Sequence, residues 1–266
     1  MQVSPSADLR HLVKHYLIID HQAADEGTYR FFPDGNPGLV FSYADPLCQR
    51  QQPATNGLST FVYGQANQYH DLTAGKTIGL LIVVFQPWGL HTISGISGQE
   101  TINRQVSSDH LFGPLASMLQ TQLVSYSSLR ERINQIEGFL RTRTSNLRAV
   151  WSLLPRAVQL MHQTNGQLPI QQITQQLATT ERSLERHFEQ VLGISPKQYS
   201  RIIRLQHCLK IHRQQPALSL TELTYKAGYY DQAHFIREFR QLTGITPTQY
   251  DTGPARLAVN LMILNA

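Results

Sequence analysis

The chain has 266 residues, 41% of them hydrophobic, and a formal net charge of +5 at pH 7, enough for two domains of ordinary size. Its two cysteines, Cys48 and Cys208, can build neither a disulfide framework nor a cysteine zinc site, and no apolar run reaches membrane-spanning length. The first residues lack the basic segment and apolar stretch of a secretory signal, so a cytoplasmic protein without membrane contact is expected.

Residues 1–108 read mainly as strands. Tyr16–Asp20, Leu39–Tyr43, Phe61–Tyr63 and Ile78–Phe85 are β-rich runs, separated by turn signals at Pro33-Asp-Gly-Asn-Pro37 and Pro87-Trp-Gly89. Strands at this spacing predict a small antiparallel barrel or sandwich. Helical spacing follows over 109–123 and 127–143, where Leu129, Ile133, Ile136 and Leu140 form one stripe. His11 and His15 are spaced i, i+4 for a helix. No third ligand accompanies them, so no metal site is expected there. A small apolar barrel can hold a ligand, and Phe32, Tyr43, Tyr63, Gln65, Phe85, Trp88 and His91 are the candidate lining residues. Asp34 is expected to serve the Pro-Asp-Gly turn. The stretches Phe31-Phe-Pro-Asp-Gly35, Leu39-Val-Phe41, Tyr63-Gly-Gln65 and Val84–Gly89 resemble an uncharacterised cupin-like domain often fused to AraC-type DNA-binding domains. That resemblance implies a sensory or dimerising module and names no effector.

The C-terminal half contains one motif written twice. Leu184, Arg186, Phe188, Gln190, Gly193, Ile194, Pro196, Gln198 and Tyr199 recur 51 residues later as Phe235, Arg237, Phe239, Gln241, Gly244, Ile245, Pro247, Gln249 and Tyr250. Upstream the offset is 50, so the second copy holds one extra residue in its turn. In the first copy Ile170 to Ala178 predicts a short supporting helix. Thr180 caps a second helix over Glu181–Leu192, and Gly193 stops it. Ser195-Pro196 opens a longer helix reaching about Arg213, roughly 27 Å at about 1.5 Å per residue. The second copy repeats the plan, with Asp231 capping a helix that runs to Thr243. Residues 1–149 hold 11 basic and 11 acidic side chains, whereas 150–250 hold 11 basic and 6 acidic. The positive excess therefore lies on the duplicated segment, as a polyanion partner requires.

Leu184, Phe188, Phe235 and Phe239 fall on inward faces, and Arg182, Glu185, Arg186, Gln232, His234 and Arg237 on outward ones. Arg donates two bonds to guanine, Gln pairs with adenine and Glu accepts from cytosine, so these outward side chains have base-reading chemistry. Thr180, Lys197, Arg201, Lys226 and Tyr229 are candidates for phosphate contact.

The runs Glu181-Arg-Ser-Leu-Glu-Arg-His-Phe188, Gly193-Ile-Ser-Pro196, Ala227-Gly-Tyr-Tyr-Asp-Gln-Ala-His-Phe235 and Gly244-Ile-Thr-Pro-Thr-Gln-Tyr250 resemble the AraC/XylS family of bacterial transcriptional regulators over about 155–250. The resemblance implies two helix-turn-helix units joined by a long helix, with Arg182, Glu185 and Arg186 on bases in the first and Gln232, Ala233 and Arg237 in the second. Thr174 and Thr224 depart from it, standing where the family usually has Ala.

An α+β chain is thus expected: a cupin-like domain over 1–145, a double helix-turn-helix domain over 150–251 and an apolar tail over 252–266 that packs on a domain or on a partner chain. The expected partner is promoter DNA, with RNA polymerase, a small-molecule effector and a second copy of the chain as further candidates. No catalytic residue and no cofactor is expected. The competing readings are a cupin-type enzyme with an accessory DNA-binding domain, and a DNA-binding protein whose N-terminal half only dimerises.

Overall fold

The computed structural model describes residues 1–49, 57–126, 128–144, 153–253 and 255–265. The expected boundary between 145 and 150 lies outside them.

The N-terminal domain is built on two antiparallel sheets. Its elements are β1 (Gln2–Val3), β2 (Val13–Gln22), β3 (Gly27–Phe31), β4 (Gly38–Ser42), β5 (Cys48–Gln49), β6 (Thr60–Tyr63), β7 (His70–Ala74), β8 (Thr77–Phe85), helices α1 (Gly89–Ser94) and α2 (Gly98–Thr101), β9 (Gln105–Ser107), then helices α3 (Ser108–Phe112), α4 (Leu115–Ser125) and α5 (Leu129–Thr144). One sheet has the order β1-β2-β8-β4-β6-β9. Strand β8 shows why its sequence is apolar throughout. Leu81, Val83 and Phe85 face the helices α1 and α3–α5, while Ile78, Leu80, Ile82 and Val84 face the second sheet. Both faces of the strand are buried, so the usual polar alternation disappears.

The second sheet has the order β10-β11-β3-β7-β5. Its strands β10 (Arg256–Ala258) and β11 (Leu261–Asn265) come from the C-terminal tail, beyond the helical domain. The tail therefore packs on the N-terminal domain as a hairpin, with Leu261 opposite Phe31 and Met262 opposite Arg30. Adjacent residues on a strand point to opposite faces. Leu261 accordingly enters the core between the sheets and Met262 the core of the helical domain.

Two expectations change. His15 lies in β2 and His11 in the turn before it, so the i, i+4 helical pair does not form. The helix expected over 109–123 is broken into α3 and α4 by Gly113, with φ at +68°, and by Pro114. Among the described residues, no three His, Cys, Asp or Glu side chains gather as metal ligands, and no helix is long and apolar enough to cross a membrane.

The helical domain comprises α6 (Leu153–Gln163), α7 (Ile170–Gln176), α8 (Glu181–Leu192), α9 (Pro196–Gln214), α10 (Leu220–Lys226), α11 (Gln232–Thr243) and α12 (Pro247–Asp251). One continuous core joins both halves, with Leu184 and Phe188 of α8, Tyr199, Ile202 and Leu205 of α9, and Phe235 and Phe239 of α11 all fully buried.

Candidate nucleic-acid interface

Each helix-turn-helix unit starts and stops where its sequence dictates. Thr180 accepts the Ser183 N–H at 3.2 Å to cap α8, and Asp231 accepts the His234 N–H at 2.7 Å to cap α11. Both helices end at glycines in the left-handed region, Gly193 (φ +75°) and Gly244 (φ +74°). Ser195 closes a capping box with Gln198 ahead of α9, and Thr246 closes the equivalent box with Gln249 ahead of α12. The threonines at the unusual positions are accommodated without loss. Buried Thr174 donates its hydroxyl to the Gln171 carbonyl at 2.8 Å, and Thr224 to that of Leu220 at 2.7 Å.

The amphipathic pattern of α8 leaves Arg182, Glu185 and Arg186 exposed, and that of α11 leaves Ala233 and Arg237 exposed. Gln232 is half-buried, and its amide donates to the Thr221 hydroxyl. His234 is partly withdrawn, with its ring edge-on to Tyr229 at 5.5 Å and Nε2 3.7 Å from Glu238. Connector α9 spans 19 residues, about 28 Å at helical rise, comparable to the roughly 34 Å between successive major-groove faces.

Among the residues expected at phosphate, Thr180 and Lys197 are exposed, and Lys226 is exposed with its ammonium donating to Gln215 at 2.6 Å. Two others are drawn inward. Tyr229 is 4% exposed, and its hydroxyl donates to Glu238 at 2.7 Å. Burial, with Glu238 beside it, raises the phenol's pKa well above its ordinary value. Arg201 donates Nε to Glu238 at 2.8 Å and Nη2 to Gln241 at 2.6 Å. Arg201 thus ties α9 to α11, and Tyr229 ties the turn before α11 to the same carboxylate. Spacing could not reveal this, because it gives a direction from the helix axis and not the neighbouring element. Tyr230, immediately before the α11 cap, is 90% exposed.

The N-terminal domain meets the two units at matching repeat positions. A β-carbon at Gly98 would overlap the backbone of Leu192 and Gly193, and one at Gly244 would collide with Arg30 and Tyr69. The loop Phe32–Gly35 wedges between the repeat tyrosines: Phe32 lies 6.0 Å from the Tyr250 ring, and a β-carbon at Gly35 would touch the Tyr199 ring. Gln206 of α9 donates to the Pro33 carbonyl at 2.7 Å, and Ser97 to the Gln190 carbonyl at 3.3 Å. All these contacts fall at the C-terminal ends of α8 and α11 or behind them, away from the exposed arginines.

The expected effector-lining residues do not converge. Tyr63 and Gln65 line an apolar cavity of about 80 Å³ between the sheets, together with Phe61, His70 and Leu261. There Gln65 donates to the Gly35 carbonyl at 2.9 Å, and its Oε1 has no partner. Phe32 belongs to the interdomain wedge and Phe85 to the core under α1. Tyr43 donates to Asp20 and stacks under Arg132 at 4.8 Å. Trp88 donates to the His11 carbonyl at 3.0 Å, and His91 donates Nδ1–H to that of Ile96 at 2.6 Å.

Residues 156–253 match the profile of a helix-turn-helix domain, and residues 1–107 that of a domain of unknown function, DUF6597. The HTH-type transcriptional activator RhaR of Salmonella arizonae is 32% identical over 76 residues, covering 29% of this chain and 27% of RhaR; the Salmonella newport protein gives the same figures. The match thus spans about a quarter of these curated relatives. ToxT of Vibrio cholerae O395, in complex with (E)-4-(8-methylnaphthalen-1-yl)but-3-enoic acid, superposes with a TM-score of 0.52 at 12% identity, covering 89% of this chain and 98% of ToxT. A second ToxT structure gives 0.50 at 10% identity, covering 89% and 97%. The likeness to ToxT is one of fold.

Proposed function

We propose that the chain is a regulator of the AraC/XylS family, a sequence-specific DNA-binding transcriptional regulator rather than an enzyme, as its match to a helix-turn-helix domain over residues 156–253 supports. The observation that carries this reading is the pairing of α8 and α11. Each is capped, each presents an exposed arginine at the same repeat position, and the rigid α9 joins them within the basic half of the chain. Arg182, Glu185, Arg186, Gln232, Ala233, His234 and Arg237 read base edges in successive major grooves. Thr180, Lys197 and Lys226 bind phosphate. Because Arg182-Ser183 in one helix stands where Ala233-His234 stands in the other, the two half-sites differ in sequence.

The N-terminal domain senses a small molecule or pairs two copies of the chain, and the regulator acts at promoters alongside RNA polymerase in the cytoplasm. Its grip on both units at Gly193 and Gly244 gives it a route to their relative placement. Footprinting of the full chain on genomic fragments, repeated from low to high salt, tests the reading. Protection of a discrete site whose affinity falls steeply with salt supports it; uniform coverage of every fragment, or none, overturns it.

A further inference from the structure

A cavity of about 490 Å³ lies between the two domains, within the size range of small-molecule sites. It adjoins the small apolar cavity inside the N-terminal domain, sharing Phe31, Tyr63 and Leu261 with it, and none of the candidate DNA-contacting residues lines it. Strand β2 contributes Lys14, connector α9 contributes Lys210 and Arg213, and the tail loop Ala258–Leu261 closes one wall. On α9 the lining residues Ile203, Gln206, His207, Lys210 and Arg213 recur at spacings of three and four, so a single face of the connector looks into the cavity.

Lys14, Lys210 and Arg213 are all exposed, and among the described residues none has a carboxylate within ion-pair distance. Among the lining residues the carboxyl is that of Asp34, tied into its own turn by the Asn36 N–H at 3.0 Å. Burial pushes the Asp34 pKa up, and Lys14 lies close enough to oppose that shift. Three fixed positive charges thus surround one concavity with little to neutralise them. The Arg213 fork suits a carboxylate or phosphate, and the two ammonium groups act as point charges. Leu17, Phe31, Ile203 and Leu261 supply apolar wall for a carbon skeleton.

We propose that this interdomain cavity binds a small organic polyanion, carrying two or more carboxylate or phosphate charges, between Lys14 of the N-terminal domain and Lys210 and Arg213 of the connector helix. A ligand so held cross-links the N-terminal domain to the helix that sets the spacing of α8 and α11. The site stands independently of the DNA-reading function, and its test uses no DNA.

The experiment is calorimetric titration of the full chain with citrate and glucose 6-phosphate as polyanion probes, octanoate as a monoanion and glucose as a neutral control. At least one polyanion should bind saturably at one per chain. Lys14→Gln and Arg213→Gln should each weaken it about tenfold or more, with melting temperatures unchanged in the absence of probe. Lys76→Gln, at an exposed ion pair with Asp25 on the far surface, should bind as wild type. The proposal is overturned if neither polyanion binds saturably, if binding ignores both cavity substitutions, or if octanoate binds as tightly as the polyanions.

Discussion

Arg201 on the connector helix and Glu238 on the second recognition helix form a 2.8 Å ion pair, with the carboxylate 5% exposed and the guanidinium 28% exposed. Glu238 also accepts the Tyr229 hydroxyl and lies 3.9 Å from Arg204, which itself donates to the Gly166 carbonyl at 3.0 Å between α6 and α7. One carboxylate therefore fixes α11 against α9, and through Arg204 against the loop that precedes the first unit. Removing a single partner of such a pair leaves buried charge uncompensated. Glu238→Ala should destabilise the protein by about 3 kcal/mol, read as a lowered denaturant midpoint. Arg201→Ala should cost less, because the buried carboxylate keeps the Tyr229 hydroxyl at 2.7 Å and Arg204 at 3.9 Å. An equal loss from both would mean that these two groups do not compensate the carboxylate.

Arg186→Ala and Arg237→Ala should each cost about 1–3 kcal/mol of specific binding and relax preference at one base step. Lys197→Ala should weaken all sequences alike. Competition binding against single-base variants of the footprinted site separates the two behaviours. A base-selective loss at Lys197 would contradict its assignment to phosphate.

Ala178 holds φ at +50° in the turn of the first unit, where the second unit has Gly228 at +82°. A left-handed conformation costs a non-glycine residue about 1–2 kcal/mol, partly offset by the greater freedom of glycine in the unfolded chain. Ala178→Gly should therefore stabilise the protein by about 0.5–1 kcal/mol. Thermal unfolding checks the sign, and a lowered midpoint would refute the assignment of strain.

His162 and His15 have their pKa values lowered to about 4 by burial, with the Lys14 charge adding to the effect. Between about 4 and the ordinary histidine value near 6.5, the unfolded chain binds more protons than the folded one. Stability contributed by these groups is thus complete above that window and is lost as pH falls through it. The unfolding midpoint should drop on acidification from pH 7 to pH 5. His162→Gln, which keeps a polar group near the Tyr199 hydroxyl now 3.1 Å away, should flatten that slope. An unaltered slope would place the sensitivity elsewhere.

Met262 is 1% exposed in the core of the helical domain, although it sits on a strand of the N-terminal sheet. Met262→Ala should cost about 2–5 kcal/mol and should increase proteolytic separation of the two domains. Leu261→Ala, directed between the sheets, should loosen the N-terminal domain instead. Limited proteolysis with mass identification of the fragments distinguishes them.

The caps of the helical domain were legible because capping is local. Thr180, Ser195, Asp231 and Thr246 each carry the oxygen that the next turn's N–H needs, within three residues of chain. The outward arginines followed from the same periodicity. Strand β7 was not legible, because His-Asp-Leu-Thr-Ala carries little of the apolar alternation that marks a strand; its place comes from pairing with β3. Phe32 read as a pocket residue because aromatic character alone cannot separate a cavity wall from a wedge. What it fills is supplied by Tyr250, more than two hundred residues away. The bonds that Tyr229 and Arg201 make to Glu238 were hidden for the same reason, since that carboxylate comes from α11.

The tail hairpin has a consequence for the order in which the protein is made. Strand β3 emerges from the ribosome early, yet its neighbour β11 follows only after both helix-turn-helix units have been translated. Throughout that interval the edge of β3 presents unpaired backbone groups, the kind of surface on which nascent chains pair with one another. The exposed edge is shielded last, by the segment that also locks the two domains together. Chains interrupted before Leu261 should therefore leave a sticky N-terminal domain rather than an inert one.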